Sequence, residues 1–179
     1  MGIDRQDALA LALACGGPVA AAGVCGALSS RAIKGWYQKL RKPRWTPPNW
    51  LFAPVWTLLY TGQGVASWLV WKNKDGERRL PLTLYGVQLL LNLAWQPLFF
   101  NLKRPDVALV DSTAMLGMAA AATATMAQST PDHKAAIAGL MSPYIGWVGY
   151  ATALNYRIWK DNPDAHKIAA DEPAPPKTA

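Results

Sequence analysis

The chain has 179 residues, a formal net charge of +7 and 16% charged residues, and its mean hydropathy is +0.04. Such a length ordinarily predicts one soluble domain or two, yet the charges are swept into short blocks, leaving five long runs with at most one charged residue each. A soluble domain has no use for such runs, and about 20 helical residues cross the roughly 30 Å of a bilayer core. The chain is therefore expected to be an all-α integral membrane protein, a five-transmembrane-helix bundle.

The first expected span, about 8–30, is uncharged from Ala8 to Ser30. It is read as a retained helix rather than a secretory signal, because Asp4 and Asp7 flank Arg5 where a basic leader is required and the apolar run is too long. Gln6 stands where a myristoylation signal needs Ser or Thr. Cys15 and Cys25 are separated by about 15 Å of helix, beyond the roughly 7 Å a disulfide allows, and are read as packing residues.

The connection 31–49 carries Arg31, Lys34, Lys39, Arg41, Lys42 and Arg44, no acid, and Trp36, Tyr37 and Trp45 among them. Basic and aromatic residues together suit the headgroup layer. The segment either caps the bundle or rests at the interface without touching a ligand.

The second span, about 50–71, sets Trp56 well inside the membrane. In the third, about 80–102, Gln88, Asn92 and Gln96 recur every four residues and share one face. Amides are costly against lipid, so that face looks inward, either bonding neighbouring helices or lining a cavity beside Trp95, Phe99 and Phe100. The fourth span, about 107–130, holds a single acid, Asp111. The fifth, about 135–158, puts Trp147, Ala151 and Leu154 on one face, with the small residue leaving a notch between larger ones. Pro18, Pro54, Pro97 and Pro143 fall inside spans, where they either bend the helix and leave room for a cavity or are simply tolerated. The proline-rich tail 161–179 is expected to be disordered and cytosolic.

Of the nine tryptophans, Trp36, Trp45, Trp50, Trp68, Trp71 and Trp159 lie near span ends, where an amphipathic indole belongs. Trp56, Trp95 and Trp147 lie deeper and suit the stacking of a planar molecule. The two histidines, His133 and His166, fall in a loop and in the tail. No Ser/His/Asp set, carboxylate pair or phosphate loop is seen, so no catalytic residue, metal site or cofactor is expected. The basic residues sit beside spans, which favours membrane lipid or the carboxylates of a ligand as partners and disfavours nucleic acid.

Counted on alternate sides of the membrane, six of the Lys and Arg residues fall with the N-terminus and twelve with the C-terminus. The positive-inside tendency then sets the C-terminus in the cytosol.

The runs KPRWTPPNWLFAPVW (42–56), NLAWQPLFF (92–100), ALVD (108–111) and PYIGWVGYATALNYRIWKDN (143–162) resemble the signatures of the translocator protein family (TspO/MBR), also called tryptophan-rich sensory proteins or peripheral-type benzodiazepine receptors. The similarity runs in order from about Trp36 to Asn162. It implies a five-helix bundle, usually a homodimer, with a pocket for porphyrins such as protoporphyrin and haem, for sterols and for synthetic ligands. The pocket residues it implies are Trp56, Asn92, Trp95, Phe99, Trp147, Ala151 and Leu154, with Arg44 in the loop above to pair with propionates. Val107 stands where animal members carry a ligand-contacting tryptophan, and Thr46 and Asn49 replace loop histidines. The family's sterol motif matches Leu154, Tyr156 and Lys160, a pattern that an interfacial Tyr and a snorkelling Lys also produce.

Two activities follow from the resemblance. One is a membrane protein that senses, scavenges or passes on a porphyrin or lipid. The other is a light- and oxygen-dependent porphyrin-degrading enzyme using Trp56 and Trp147. A transporter would need two access states, and no internal repeat suggests them. The YRIWKDN stretch resembles eukaryotic members, pointing to a mitochondrial or other organelle membrane, with a bacterial membrane as the alternative.

Overall fold

The uncharged runs become helices because a helix satisfies its backbone within the segment: charged residues are gathered at their ends, and β-branched stretches are short. The computed structural model describes residues 4–170, and every regular element among them is helical. Five long helices cover the five expected runs: α1 (Arg5–Lys34), α3 (Asn49–Lys72), α4 (Arg79–Gln96), α5 (Pro105–Ser129) and α6 (Lys134–Asp161). Two short ones join them, α2 (Trp36–Lys39) in the first connection and α7 (Ala165–Ala170) after α6. By length and composition α1 and α5 are each apolar enough to cross a membrane.

Local chemistry explains the boundaries. The Asp4 side chain caps α1 by accepting from the Asp7 backbone N–H at 2.7 Å. Pro105 opens α5, where a missing N–H costs nothing. At the far end of α4, Pro97 lacks the donor that an α-helical turn requires, and the chain widens into a π-helical turn, Pro97–Asn101. That turn carries Phe99 and Phe100 inward. Pro18, Pro54 and Pro143 lie inside α1, α3 and α6.

The long helices form a ring in which α1 packs on α3, α3 on α6, α6 on α5 and α5 on α4, with α1 touching α4 and the π-turn more lightly. Close approach between α1 and α3 depends on Gly64, since a Cβ there would lie 2.5 Å from the Ala14 carbonyl oxygen and 2.7 Å from the Cys15 Cα. Lys72 at the end of α3 is paired with Asp7 at the start of α1 at 2.7 Å.

The half of the bundle remote from the first connection is filled. Ala66, Val70, Ala119, Met126, Ile137 and Met141 form its core. A polar chain runs through its centre: Gln88 Nε2 donates to Gln63 Oε1 at 2.8 Å, Tyr144 Oη to Gln88 Oε1 at 2.5 Å, Asn92 Nδ2 to Tyr144 Oη at 3.3 Å, and Tyr60 Oη to Asn92 Oδ1. Gln88 and Asn92 thus bond neighbouring helices, and Asn92 does so while also facing the cavity described below.

Two expectations are corrected. Trp36 does not lie in the headgroup layer: it is 0% exposed, its indole N–H donating to the Ala165 carbonyl at 3.0 Å and its ring set edge-on to Phe99 at 5.8 Å. The tail was expected to be disordered from residue 161, but through Ala170 it folds back as α7 and packs on the first connection. Proline content misled there, because one asparagine and a few apolar residues suffice to dock the segment: Ala165 and Ile168 join Trp36, Tyr37 and Leu40 in a second core. Residues 171–179 lie outside the described residues.

Candidate ligand cavity

The half of the bundle beneath the first connection is hollow. A cavity of about 450 Å³ is enclosed by the last turns of α1, α4 and α6, the first turns of α3 and α5, and the π-turn. That volume falls in the range of small-molecule sites, about 300–1,000 Å³.

Each wall follows from a local pattern. On α3, Phe52, Ala53, Trp56 and Tyr60 recur at helical spacing, and Trp56 stacks on Tyr60 at 5.3 Å. On α4 and the π-turn, Trp95 stacks on Phe99 at 4.8 Å, and the Trp95 indole N–H donates to Asn155 Oδ1 at 2.9 Å. Asn155 in turn donates to the Pro105 carbonyl at 2.7 Å, so one amide joins α4, α5 and α6. On α6 the lining residues are Val148, Ala151, Leu154, Asn155 and Ile158. On α1 they include Ala22, Gly23 and Gly26, and a Cβ at Gly23 would meet nothing within 4 Å.

The first connection forms the roof. Tyr37 lines the cavity from above and packs edge-on against Phe99 and Phe100 at 6.1 and 5.4 Å. Its phenol is pushed above its ordinary pKa by burial and, secondarily, by Tyr150. Lys42 lies 4.4 Å above the Tyr37 ring, its ammonium donating to the Tyr37 carbonyl at 2.8 Å, and partial burial pushes its pKa down. The roof is fastened twice more: Tyr150 Oη donates to the Trp45 carbonyl at 2.6 Å, and Asn162 binds the Arg41 backbone.

Of the residues expected in the pocket, Trp56, Asn92, Trp95, Phe99, Ala151 and Leu154 line the cavity together. Trp147 does not. Its ring lies beside the lining residue Phe52 at 6.0 Å and stacks on Tyr150 at 5.6 Å, outside the wall. The inward face of α6 runs through Val148, one residue on, which is a rotation of about 100° along the helix. Arg44 is exposed on the outer side of the connection and does not line the cavity. Nor does Val107, which is exposed.

The sterol motif is split between two faces. Leu154 points into the cavity, whereas Tyr156 is 41% exposed on the outer surface of α6, where its ring lies beneath the Lys160 ammonium at 5.7 Å and near Trp159 at 6.0 Å.

Sequence reading missed Tyr60, Phe52 and Asn155. Tyr60 and Phe52 stand four residues on either side of Trp56, so extending its helical face in both directions would have found them. Asn155 follows Leu154 inside a run otherwise poor in amides, which is itself an inward signal. Gly23 and Gly26 carried none, because a glycine facing a cavity and one facing lipid look alike in the sequence.

The features define a class: a helical bundle with an aromatic, ligand-sized hollow near one end. The chain belongs to the TspO/MBR family, which its residues 14–160 match, a family of membrane proteins with relatives in eukaryotes, bacteria and archaea. The translocator protein of Ovis aries is 43% identical over 144 residues, covering 76% of this chain and 83% of the sheep protein. That of Bos taurus is 45% identical over 130 residues, covering 71% and 75%. The tryptophan-rich protein TspO of Archaeoglobus fulgidus is 37% identical over 143 residues, covering 79% and 90%.

Proposed function

We propose that all five long helices cross the membrane with the C-terminus in the cytosol, and that the cavity binds a flat, largely apolar molecule taken from the lipid phase. A tetrapyrrole such as protoporphyrin or haem is the preferred ligand and a sterol the second; the role is sensing, scavenging or passing on that molecule. The observation that carries this reading is the pair of stacked aromatic walls, Trp56 with Tyr60 and Trp95 with Phe99, around one hollow of about 450 Å³. Planar π-systems favour such surfaces.

Titration of the purified protein with protoporphyrin IX, followed by tryptophan fluorescence, tests it. Saturable quenching is expected, with roughly tenfold weaker affinity in Trp56→Leu, which keeps an apolar filling but removes the stacking ring. Unchanged affinity in that variant overturns the reading.

Porphyrin photodegradation is supported less well. Trp56 stands on the cavity wall as that reaction would need, but Trp147 lies behind it. Homodimer formation and an organelle membrane belong to the same proposal by family resemblance, and the exposed Gly117 and Ala124 on α5 offer a surface smooth enough for a second copy.

A further inference from the structure

The polar groups around the cavity divide sharply by whether the protein already uses them. Thr57, Tyr60, Asn92, Trp95, Ser112 and Asn155 all line it, and each is already hydrogen-bonded, Thr57 and Ser112 to the backbone of their own helix and the others across helices. Asn92 has its oxygen held by Tyr60 and its nitrogen shared between Tyr144 and the Met115 sulfur at 3.2 Å. Their bonds within the protein leave a ligand only part of their hydrogen-bonding capacity. Tyr37 and Asn49 at the roof, Trp56 on α3 and Gln96 on α4 make no side-chain hydrogen bond among the described residues.

Of these four, Gln96 is the amide on a helix wall below the roof; Trp56 offers a single indole N–H on a ring already used for stacking. It is half-buried at the last turn of α4, ahead of the π-turn that Pro97 imposes. Across from it α1 presents Gly26, where a Cβ would lie 3.7 Å from Gln96 Oε1 and would meet no other atom within 4 Å. One turn before, Gly23 is open altogether. The space beside the amide is thus kept clear by two residues without side chains, on the seam where α1 touches α4 only lightly. An amide in a partly dry cavity with its donors unspent is a strong discriminator, because leaving it unpaired against an apolar ligand is costly.

We propose that Gln96 is the specificity-determining residue of the cavity: its amide, which here sets Oε1 toward Gly26, turns about its terminal torsion so that the N–H₂ donates to a carboxyl or carbonyl oxygen on the edge of a planar ligand that fills the space beside Gly23 and Gly26. The assignment rests on the ligand reading above and adds its chemical requirement: an apolar flat body with an oxygen acceptor at its rim.

Two porphyrins with the same macrocycle test it, protoporphyrin IX, which carries carboxyl groups, and etioporphyrin, which carries none. In wild-type protein protoporphyrin IX is expected to bind more tightly. In Gln96→Met, of similar length and shape but without the amide, protoporphyrin IX should weaken by roughly five- to tenfold, the worth of about one hydrogen bond, while etioporphyrin is unchanged. Gly26→Val, which fills the space beside the amide, should weaken both. Equal losses for the two porphyrins in Gln96→Met, or none, overturn the role of Gln96 while leaving the cavity reading intact. Absence of saturable binding of either porphyrin to wild-type protein overturns the ligand reading and this assignment with it.

Discussion

The side chain of Asn162 grips the backbone of Arg41 from both directions, accepting from its N–H at 2.9 Å and donating to its carbonyl at 2.8 Å. The two residues are 121 positions apart, and the contact ties the chain after α6 to the roof of the cavity. Asn162 also donates to the Ile158 carbonyl at 2.8 Å, so its amide is fully used. Replacing it with Ala removes both bonds to a partly buried backbone pair, at a cost of about 1 kcal/mol. Faster amide exchange in residues 36–41 of Asn162→Ala, with the bundle helices still protected, is the expected result.

The polar chain through the packed half makes Tyr144 a second sensitive point. Its hydroxyl donates to Gln88 and accepts from Asn92, so Tyr144→Phe removes one partner from each of two buried amides at once. A loss of about 1–3 kcal/mol is expected, read as a lower midpoint of thermal unfolding in detergent.

Trp147 should behave in the opposite way. Its indole N–H is buried and has no hydrogen-bond partner among the described residues, so the nitrogen contributes nothing to offset its desolvation. Trp147→Phe is expected to leave protoporphyrin affinity within about twofold and stability undiminished, in contrast to Trp56→Leu. A tenfold loss of affinity would return Trp147 to the site.

Helix contact supplies a further prediction. With no room for a Cβ at Gly64, Gly64→Ala must push α1 off α3, because the obstructing atoms belong to the Ala14–Cys15 backbone and cannot rotate away. A destabilisation of about 1–3 kcal/mol is expected. Faster reaction of Cys15 with a thiol reagent would report the opening, since its sulfur now lies 3.6 Å from the Thr61 carbonyl at the same contact.

At the start of α5 the Arg104 guanidinium forks onto Asp106 at 2.8 and 2.6 Å and, chiefly through these hydrogen bonds, holds its carboxyl down at about 2. A depressed carboxylate stabilises the fold above its unfolded pKa of about 3.9 and loses that contribution as pH falls through about 2. Both partners are solvent-exposed, so the effect is small. The unfolding midpoint of wild-type protein should drop slightly more than that of Asp106→Asn between pH 5 and pH 2.5.

The helical runs, their order and the inward face of α4 were legible in the sequence, because excluding charge from a 20-residue run and repeating amides every four residues are one-dimensional patterns that a helix converts directly into position. Most of the cavity wall was legible for the same reason, reinforced by motifs in the right helices. Tertiary structure decided the rest. Whether Trp36 lies in headgroups or in a core, whether Trp147 faces the hollow or stands behind it, and whether the tail docks all depend on contacts between segments distant in the chain. The space beside Gln96 exists because two glycines on another helix happen to face it. Local composition cannot encode such a relationship, since it is a property of two surfaces meeting and of neither alone.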